Sequence, residues 1–368
     1  MIFRHLRFAL RLNSHGASTF LADRSRRLLS KAGIFLLTLF LTFCTPNPSG
    51  FEKTEVIPVT PIASSPTSVA PTPSPVITST PVNAVPVLAY YYIWFDIQSW
   101  NRAKTDYPLL GRYSSDDAVV MRQHIRWAKE AGISGFIVSW KGTDKLNRRL
   151  DQLVEIAEQE DFKLAIIYES LNFERKPLPV EQVSDDLSYF IDRYADHQVF
   201  DLLGKPMVIW AGTWEFSLEE IQMVVQDKRE HIFILASEKN VKGYQRVANL
   251  VDGDAYYWSS VNPETHPGYP EKLKAMGEAV HAHDGLWVAP AAPGFDSRLL
   301  GGTTAIDRKA GKTLQTEIEA ALQSIPDAIG LISWNEFSEN THIEPSENHD
   351  DQYLEVLAEM DIIISNPK

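Results

Sequence analysis

Short apolar runs alternate with amphipathic segments along the chain from residue 87 onward. Each run has the length of one buried strand, and each following segment repeats its apolar positions every three or four residues, as a helix does. The predicted strands are Val87 to Phe95, Gly135 to Ser139, Lys163 to Tyr168, Met207 to Trp210, His231 to Ala236, Asp254 to Trp258, Leu286 to Ala289 and Ile329 to Trp334. The predicted helices are Val119 to Ala131, Leu146 to Glu160, Val183 to Tyr194, Leu218 to Gln226, Tyr244 to Leu250, Pro270 to His283, Leu314 to Leu322 and Gln352 to Met360.

Eight strands that alternate with eight helices predict an α/β fold, the (β/α)8 TIM barrel, as a single domain over residues 87–368. A doubly wound open sheet is the main alternative. Such a sheet usually carries a glycine-rich phosphate loop after its first strand, and the residues after Phe95 contain no such loop. We therefore favour the barrel.

A barrel of this kind carries its active site at the C-terminal ends of its strands. Acidic and aromatic residues do follow the predicted strands, so they are expected to share one face of the domain. These residues are Tyr92, Trp94, Trp140, Glu169, Trp214, Glu215, Glu238, Tyr257, Trp258, Glu336 and Glu339.

The N-terminal residues 1–44 predict a signal segment. Basic residues precede the apolar residues 32–44, which are too few to cross a bilayer comfortably and match the apolar region of a signal peptide. The run ends in Leu41-Thr42-Phe43-Cys44, which resembles a lipobox except for the bulky Phe43. We expect export to the cell surface or the extracellular space, with Cys44 as the lipidation site. An uncleaved membrane anchor and an overextended start codon are the alternatives.

Residues 45–86 predict a disordered linker between this segment and the barrel. They contain ten of the 22 prolines in the chain, mixed with serine and threonine. Such a composition cannot form a packed core and favours extended conformations. The barrel is therefore expected to be held away from a surface, with a lipid anchor as its only contact with a membrane.

The charge of the chain is unevenly distributed. The net charge is −13, but residues 1–31 carry seven basic residues against Asp23, a local balance of +6, which leaves the remainder at −19. An acidic body argues against a nucleic acid partner and fits a neutral or cationic substrate. The single cysteine excludes an intrachain disulfide. No spacing typical of a zinc or calcium site is present, so no metal or cofactor is predicted.

The segment Trp334 to Pro345 concentrates the candidate chemistry. It contains Glu336, Glu339 and Glu344 among aromatic and amide side chains, directly after the eighth predicted strand. Carboxylates are rarely buried without partners. A cluster of them at a strand end therefore belongs either to a solvent-exposed loop or to a functional site. Enzymes that cleave glycosidic bonds use two such acids, one to protonate the leaving oxygen and one to activate or provide the nucleophile.

The segment Asn335 to Glu344 resembles the Asn-Glu-Trp-His-Glu-Gly-Thr-Gln-Ile-Glu segment of glycoside hydrolase family 99, the endo-α-1,2-mannosidases and mannanases. Tyr107 to Asp116 is similar to that family's Pro-x-Leu-Gly-x-Tyr-x-Ser turn. Shorter similar segments follow in the family's order, namely Ile137 to Trp140, Tyr168-Glu169, Tyr256 to Trp258 and Ala292 to Asp296.

The chain departs from the family segment at three positions. Phe337, Ser338 and Asn340 stand where the family has Trp, His and Gly. The ending Ile343-Glu344-Pro345 also resembles family 71 α-1,3-glucanases and barrels associated with cell-surface polysaccharide loci. The resemblance is therefore to a family 99/71-like group.

The resemblance implies roles for two acids. Glu339 corresponds to the general acid, which protonates the glycosidic oxygen and benefits from a raised pKa. Glu336 corresponds to the general base, which in family 99 deprotonates the sugar 2-hydroxyl so that this oxygen attacks the anomeric carbon and gives an anhydro-sugar. The alternative is a pair of loop acids that bind backbone amides.

The resemblance and the strand ends together imply a sugar-binding set. Glu169 and Tyr257 match family positions near the sugar, and Trp140 could stack on a sugar ring. The other candidates are Tyr92, Trp94, His197 and Asn335. Simple packing, a helix-end histidine and an amide that orients Glu336 are the structural alternatives. His342 and Glu344 are expected to brace the acid loop.

The leading functional hypothesis is an exported, retaining glycoside hydrolase that cleaves α-mannosidic or related α-linked glycans in mid-chain. An α-1,3-glucanase-like hydrolase is the second hypothesis. A barrel that binds glycans without cleaving them, or that takes part in polysaccharide assembly, is the third. The retained pair Glu336 and Glu339 favours hydrolysis over binding alone. In each case the partner is an oligosaccharide or polysaccharide.

Overall fold

The computed structural model describes residues 84–102 and 104–365, with side chains up to residue 360. The chain forms a closed barrel of parallel strands. The barrel strands are β1 (Val87–Tyr92), β2 (Gly135–Trp140), β3 (Lys163–Glu169), β4 (Met207–Ala211), β5 (Phe233–Ala236), β6 (Gly253–Ala255), β7 (Leu286–Ala291) and β10 (Ala328–Leu331). They follow one another around the barrel in chain order, and β10 closes it by pairing with β1. The predicted (β/α)8 architecture is confirmed.

Helices cover the outside of the barrel. They are α1 (Ala118–Glu130), α2 (Asp144–Glu160), α3 (Val180–Tyr194), α4 (Leu218–Val225), α5 (Val241–Val247), α6 (Tyr269–His281), α7 (Lys312–Gln323) and α8 (Gln352–Ser365). The connection from β7 to α7 also holds a short antiparallel pair, β8 (Phe295–Asp296) and β9 (Ala305–Ile306). The helices present apolar stripes to the barrel; α1, for example, buries Met121, Ile125 and Ala128.

Three strands end earlier than the apolar pattern predicts. β1 ends at Tyr92 rather than Phe95, β6 ends at Ala255 rather than Trp258, and β10 ends at Leu331 rather than Trp334. Most apolar residues beyond these ends, such as Ile93, Phe95 and Ile332, remain buried in loops at the C-terminal face, whereas Trp94 is exposed. These loops carry most of the candidate site residues.

Alternate residues of each strand face the barrel interior and the helices. In β1, Leu88, Tyr90 and Tyr92 belong to the interior layer, whereas Ala89 and Tyr91 pack under the helices. The interior is filled with side chains, as expected for a barrel of eight strands. A ligand is therefore expected at the C-terminal end of the strands rather than inside the barrel.

The predicted signal segment 1–44, Cys44 and residues 45–83 of the predicted linker lie outside the described residues. Export, lipidation and the disordered linker accordingly stay predictions. Within residues 84–102 and 104–365, the longest apolar helix falls short of what is needed to cross a membrane.

Candidate active site

The segment Trp334 to Pro345, the acid loop, follows β10, and hydrogen bonds join its two ends. The Ser333 N–H donates to Thr341 O at 2.9 Å, and the Ile343 N–H donates to Ser333 O at the same distance. The Glu336 N–H donates to Ser333 Oγ at 2.8 Å. These bonds join the two ends of the loop, so Glu336 and Glu339 are carried on one fixed turn.

Asn335 joins this loop to the end of β1. Its Oδ1 accepts a hydrogen bond from Tyr92 N at 2.8 Å, and its Nδ2 donates to Tyr92 O at 3.0 Å. The side chain is fully buried. Because both ends of the amide are engaged within the protein, the predicted contact of Asn335 with substrate is corrected. The residue instead positions Glu336 and Tyr92, which was the structural alternative.

Hydrogen bonds and a nearby cation support the ionised form of Glu336 against the effect of its burial. It is almost fully buried, and its Oε1 accepts a hydrogen bond from Ser338 N at 2.7 Å. Burial raises the pKa of Glu336, while the Ser338 hydrogen bonds and the Lys104 charge oppose that rise. The Lys104 Nζ donates to Ser338 Oγ at 3.1 Å, which places the cation beside the carboxylate. A carboxylate held in this way can accept a proton.

Glu339 lies in surroundings that favour its protonated form. Burial and the neighbouring Glu336 charge raise its pKa to about 7, and only the Arg175 charge opposes them. Unlike Glu336, its carboxyl group makes no hydrogen bond to the described part of the chain. Two nearby carboxylates in different surroundings can divide the roles of base and acid between them.

Two tyrosines stand beside these acids at the mouth of the barrel. Tyr92 Oη and Tyr257 Oη are 2.8 Å apart, so one hydroxyl donates to the other. Burial raises the pKa of both, and nearby carboxylates add to the effect: Glu336 acts on Tyr92, and Glu339 acts on Tyr257. The tyrosines therefore stay neutral and can donate hydrogen bonds to a ligand.

Trp94 and Glu169 complete this group. The Trp94 ring stacks on Tyr92 with centroids 4.3 Å apart and is 41% exposed, so one face is open to a ligand. Glu169 ends β3 on the interior side and accepts a hydrogen bond from Ser139 Oγ at 2.9 Å. Burial raises its pKa, and its charge also acts on Tyr92. Glu169, Glu336, Glu339 and the two tyrosines thus lie close to one another at the barrel mouth.

Trp140 does not belong to this group, and its predicted role in sugar stacking is corrected. Its ring is fully buried on the helix side of β2, between Tyr168 and Phe190. Its Nε1 donates to Asn147 Oδ1 of α2 at 2.9 Å. The neighbouring Ser139 faces the interior instead, because side chains alternate along a strand. Trp140 is a core residue.

His197 also lies away from the site, and its predicted contact with substrate is corrected. It follows α3, at the N-terminal end of the barrel. Its Nδ1 lies 2.7 Å from Glu158 Oε1, in the last turn of α2. The neighbouring Gln198 O accepts from Lys163 Nζ, at the start of β3. His197 is therefore on the opposite face from Glu336 and has the helix-end role that was its structural alternative.

The expectation that His342 and Glu344 brace the acid loop is confirmed. Glu344 is buried and accepts hydrogen bonds from Tyr113 Oη at 2.8 Å and from His124 Nε2 at 2.9 Å. His342 is fully buried and bonds Asp106. These contacts tie the loop to the β1–α1 connection and to α1.

Sequence reasoning missed several groups that shape the site. Lys104 and Ser338 bear on Glu336, and Arg175 bears on Glu169 and Glu339. Lys104 and Arg175 lie in loops without periodicity, so no pattern marks them. Ser338 could have been found, because it replaces a histidine of the family segment between the two acids.

One cluster among the described residues has the composition of a metal site. Asp106, His342 and His349 place ligand atoms within 4.8 Å of one another. However, His342 Nδ1 lies 3.3 Å from Arg308 Nη2, a group that can only donate. Nδ1 must therefore accept, which leaves the proton on Nε2, the nitrogen that faces Asp106. A protonated nitrogen cannot bind a metal ion, so the cluster does not fit one.

Comparison with known proteins agrees with the fold. The family model described as "Glycosyl hydrolase family 99" matches residues 96–361. The human "Glycoprotein endo-alpha-1,2-mannosidase-like protein" is 26% identical over 282 residues, which cover 68% of this chain and 60% of that protein. The rat "Glycoprotein endo-alpha-1,2-mannosidase" is 23% identical, covering 65% of this chain and 56% of that protein. The chain thus spans somewhat over half the length of these curated relatives.

A solved structure shares the fold. The GH99 endo-alpha-mannosidase from Bacteroides thetaiotaomicron superposes with a TM-score of 0.66 at 22% identity, covering 76% of this chain and 97% of that one. The family model covers the barrel after β1, including both acids and Tyr257. The chain therefore belongs to glycosyl hydrolase family 99.

Proposed function

We propose that this chain is a glycoside hydrolase that cleaves α-mannosidic linkages within a glycan, with Glu336 as general base and Glu339 as general acid. One observation carries the proposal. The two acids share a loop at the barrel mouth, but Glu336 accepts hydrogen bonds beside a lysine, whereas the pKa of Glu339 is raised to about 7. Near neutral pH such a pair offers one proton acceptor and one proton donor.

In the first step, the Glu336 carboxylate takes the proton from the 2-hydroxyl of the sugar. That oxygen then bonds to the anomeric carbon, the glycosidic C–O bond breaks, and the leaving oxygen takes the proton of Glu339. In the second step, Glu339 takes a proton from water, whose oxygen opens the three-membered ring. Glu336 returns its proton to the 2-oxygen. Two inversions at the anomeric carbon give net retention.

The neighbouring groups fit this sequence. Tyr92 and Tyr257 stay neutral and can donate to sugar hydroxyls, and the open face of Trp94 can carry a sugar ring. Glu169 can accept a hydrogen bond from another hydroxyl. We further propose that the protein is exported and acts at the cell surface or outside the cell, with Cys44 as a lipid attachment site. The apolar residues 32–44 support this part.

The test is a screen of glycans with the wild type and the Glu339→Gln variant. α-Mannan, α-1,3-glucan and bacterial exopolysaccharides are incubated with each protein, and new reducing ends are measured. We expect internal cleavage of α-mannan by the wild type and a loss of about a thousand-fold or more in the variant. Cleavage of α-1,3-glucan alone would favour the glucanase hypothesis. Equal binding by both proteins without product would favour a glycan-binding barrel.

A further inference from the structure

Three buried polar side chains outside the candidate active site form a continuous chain of hydrogen bonds. Asp106 comes from the β1–α1 connection, Arg308 from the β7–α7 connection and His342 from the acid loop. They are 2%, 6% and 0% exposed, respectively. Arg308 Nη2 lies 3.3 Å from His342 Nδ1, and His342 Nε2 lies 3.0 Å from Asp106 Oδ2. We call these three residues the relay.

The donors and acceptors of the relay allow one arrangement. The guanidinium donates to Nδ1, so His342 carries its single proton on Nε2 and donates it to Asp106. Burial and the Arg308 charge lower the pKa of His342 to about 3, so the ring stays neutral at working pH. The relay is thus a buried cation and a buried anion joined through a neutral ring. Such groups are stable in a core only when they are paired and hydrogen-bonded.

The same guanidinium holds the backbone that follows the general acid. Arg308 Nη1 donates to His342 O at 2.8 Å, and Nη2 donates to Asn340 O at 2.9 Å. Glu339 O accepts from Asp296 N at 2.7 Å, and Asp296 belongs to the same connection as Arg308. The β7–α7 connection therefore holds the backbone at Glu339 itself and on its C-terminal side.

This matters because the Glu339 carboxyl group has no hydrogen-bond partner of its own within residues 84–102 and 104–365. Its location depends on the backbone that carries it. Glu336, by contrast, is held directly by Ser338 N. A fixed backbone is thus the means available for keeping the Glu339 carboxyl group in place beside the Glu336 carboxylate.

We propose that Arg308, His342 and Asp106 form a positioning relay that holds Glu339 in its desolvated place beside Glu336. The inference rests on the proposed function for its catalytic meaning, but the structural claim stands apart from it. The three residues are buried and bonded to one another and to the loop backbone, so they are positioning residues rather than catalytic ones. The family segment has Gln at the position of His342. A glutamine can accept from Arg308 through its oxygen and donate to Asp106 through its nitrogen.

The charged and titratable groups that face Glu339 come from three elements. Glu336 faces it from the same loop, Tyr257 from the loop after β6 and Arg175 from the β3–α3 loop. If the relay is broken, the carboxyl group gains water and moves away from the Glu336 charge. Both changes favour ionisation, so the pKa of Glu339 falls.

The test measures the titration of the Glu339 carboxyl group by infrared spectroscopy, as the difference from Glu339→Gln, on the full chain. The wild type is expected to titrate near the pKa of about 7. In His342→Leu the midpoint should fall by about one unit. In His342→Gln, which can make both relay bonds, it should stay unchanged. In His349→Gln, a neighbour that lies 3.9 Å from Asp106 and outside the relay, it should also stay unchanged.

An unchanged midpoint in folded His342→Leu would overturn the proposal, as would an equal fall in His342→Gln. If His342→Leu does not fold, Arg308→Lys replaces it, because a lysine can reach one of the two carbonyls but not both. The midpoint is then expected to fall, and an unchanged value counts against the relay. The titration needs no substrate, so its result is independent of whether any glycan is cleaved.

On a glycan that the wild type cleaves, the variants separate positioning from binding. His342→Leu should lower kcat by about ten-fold or more and leave KM within about two-fold. A displaced acid stabilises the transition state less well but does not change how tightly the substrate binds. His342→Gln should restore most of kcat. A change in KM alone would contradict the proposed role.

Discussion

Glu336 and Glu339 stand three residues apart on one loop, and burial raises the pKa of both, but their carboxyl groups have different neighbours. Glu336 receives a hydrogen bond from Ser338 N and the charge of Lys104, whereas Glu339 has neither. Both residues are glutamates, so the difference comes from their neighbours rather than from residue type. The two tryptophans predicted to bind sugar likewise differ in their surroundings, because Trp94 is open to solvent and Trp140 is fully buried.

Substitution of these tryptophans should affect different properties. Trp94→Ala should raise KM for a cleaved glycan by roughly five- to ten-fold, because a stacking face is lost, and leave thermal stability nearly unchanged. Trp140→Ala should reduce the free energy of unfolding by about 3–5 kcal/mol, because it leaves a cavity between barrel and helices. Steady-state kinetics and urea unfolding measure the two effects. Loss of glycan affinity in folded Trp140→Ala would contradict our placement.

At the scale of elements, the strand–helix order and the acid loop could be predicted from the sequence, but the direction of individual side chains could not. The run Ile137 to Trp140 is apolar on both faces apart from Ser139, as expected for a strand buried on both sides. Nothing in it shows that Ser139 faces the interior and Trp140 the helices. Lys104 and Arg175 come from irregular loops, and only the folded chain brings them to the acids.

Closure of the barrel depends on a glycine in its shortest strand. A Cβ added at Gly253 would lie 2.0 Å from the backbone oxygen of Leu286 on β7. Gly253→Ala should therefore destabilise the fold by roughly 3 kcal/mol or more, because backbone atoms of two paired strands must separate. Gly204→Ala is the control: its φ is +95° and nothing lies within 4 Å of the added atom, so it should cost only about 1–2 kcal/mol of strain. Equal losses in denaturant unfolding would refute this explanation.

At the scale of the whole molecule, the site costs stability. Burial raises the pKa values of Glu169, Glu336 and Glu339, so each carboxyl group is easier to ionise in the unfolded chain than in the folded one. Folding therefore becomes less favourable as pH rises through the range in which these carboxyl groups ionise. An active site that keeps a carboxyl group protonated near neutral pH therefore lowers the free energy of unfolding.

The stability of the protein should consequently fall with pH in a way that depends on Glu339. Its pKa is about 7 in the folded state against an ordinary value of 4.5, so the folded chain binds the extra proton between these values. The contribution is fully present below pH 4.5 and is lost as pH rises through 7, by an amount on the order of 3 kcal/mol at most. Glu339→Gln should be more stable than the wild type at about pH 8 and flatter in its pH dependence. Urea unfolding across pH measures this, and parallel curves for the two proteins would argue against a raised pKa.

The central claim, that Glu339 donates and Glu336 accepts the proton, is tested most directly by the pH dependence of kcat/KM on a cleaved α-mannan. The value of kcat/KM should fall as pH rises above the Glu339 pKa of about 7, because the acid is then ionised. It should also fall at low pH, where Glu336 becomes protonated. Both limbs should be present in the wild type, and the alkaline limb should disappear in the residual activity of Glu339→Gln. A rate that stays constant well above neutral pH, or an alkaline limb that survives in Glu339→Gln, would contradict the assignment.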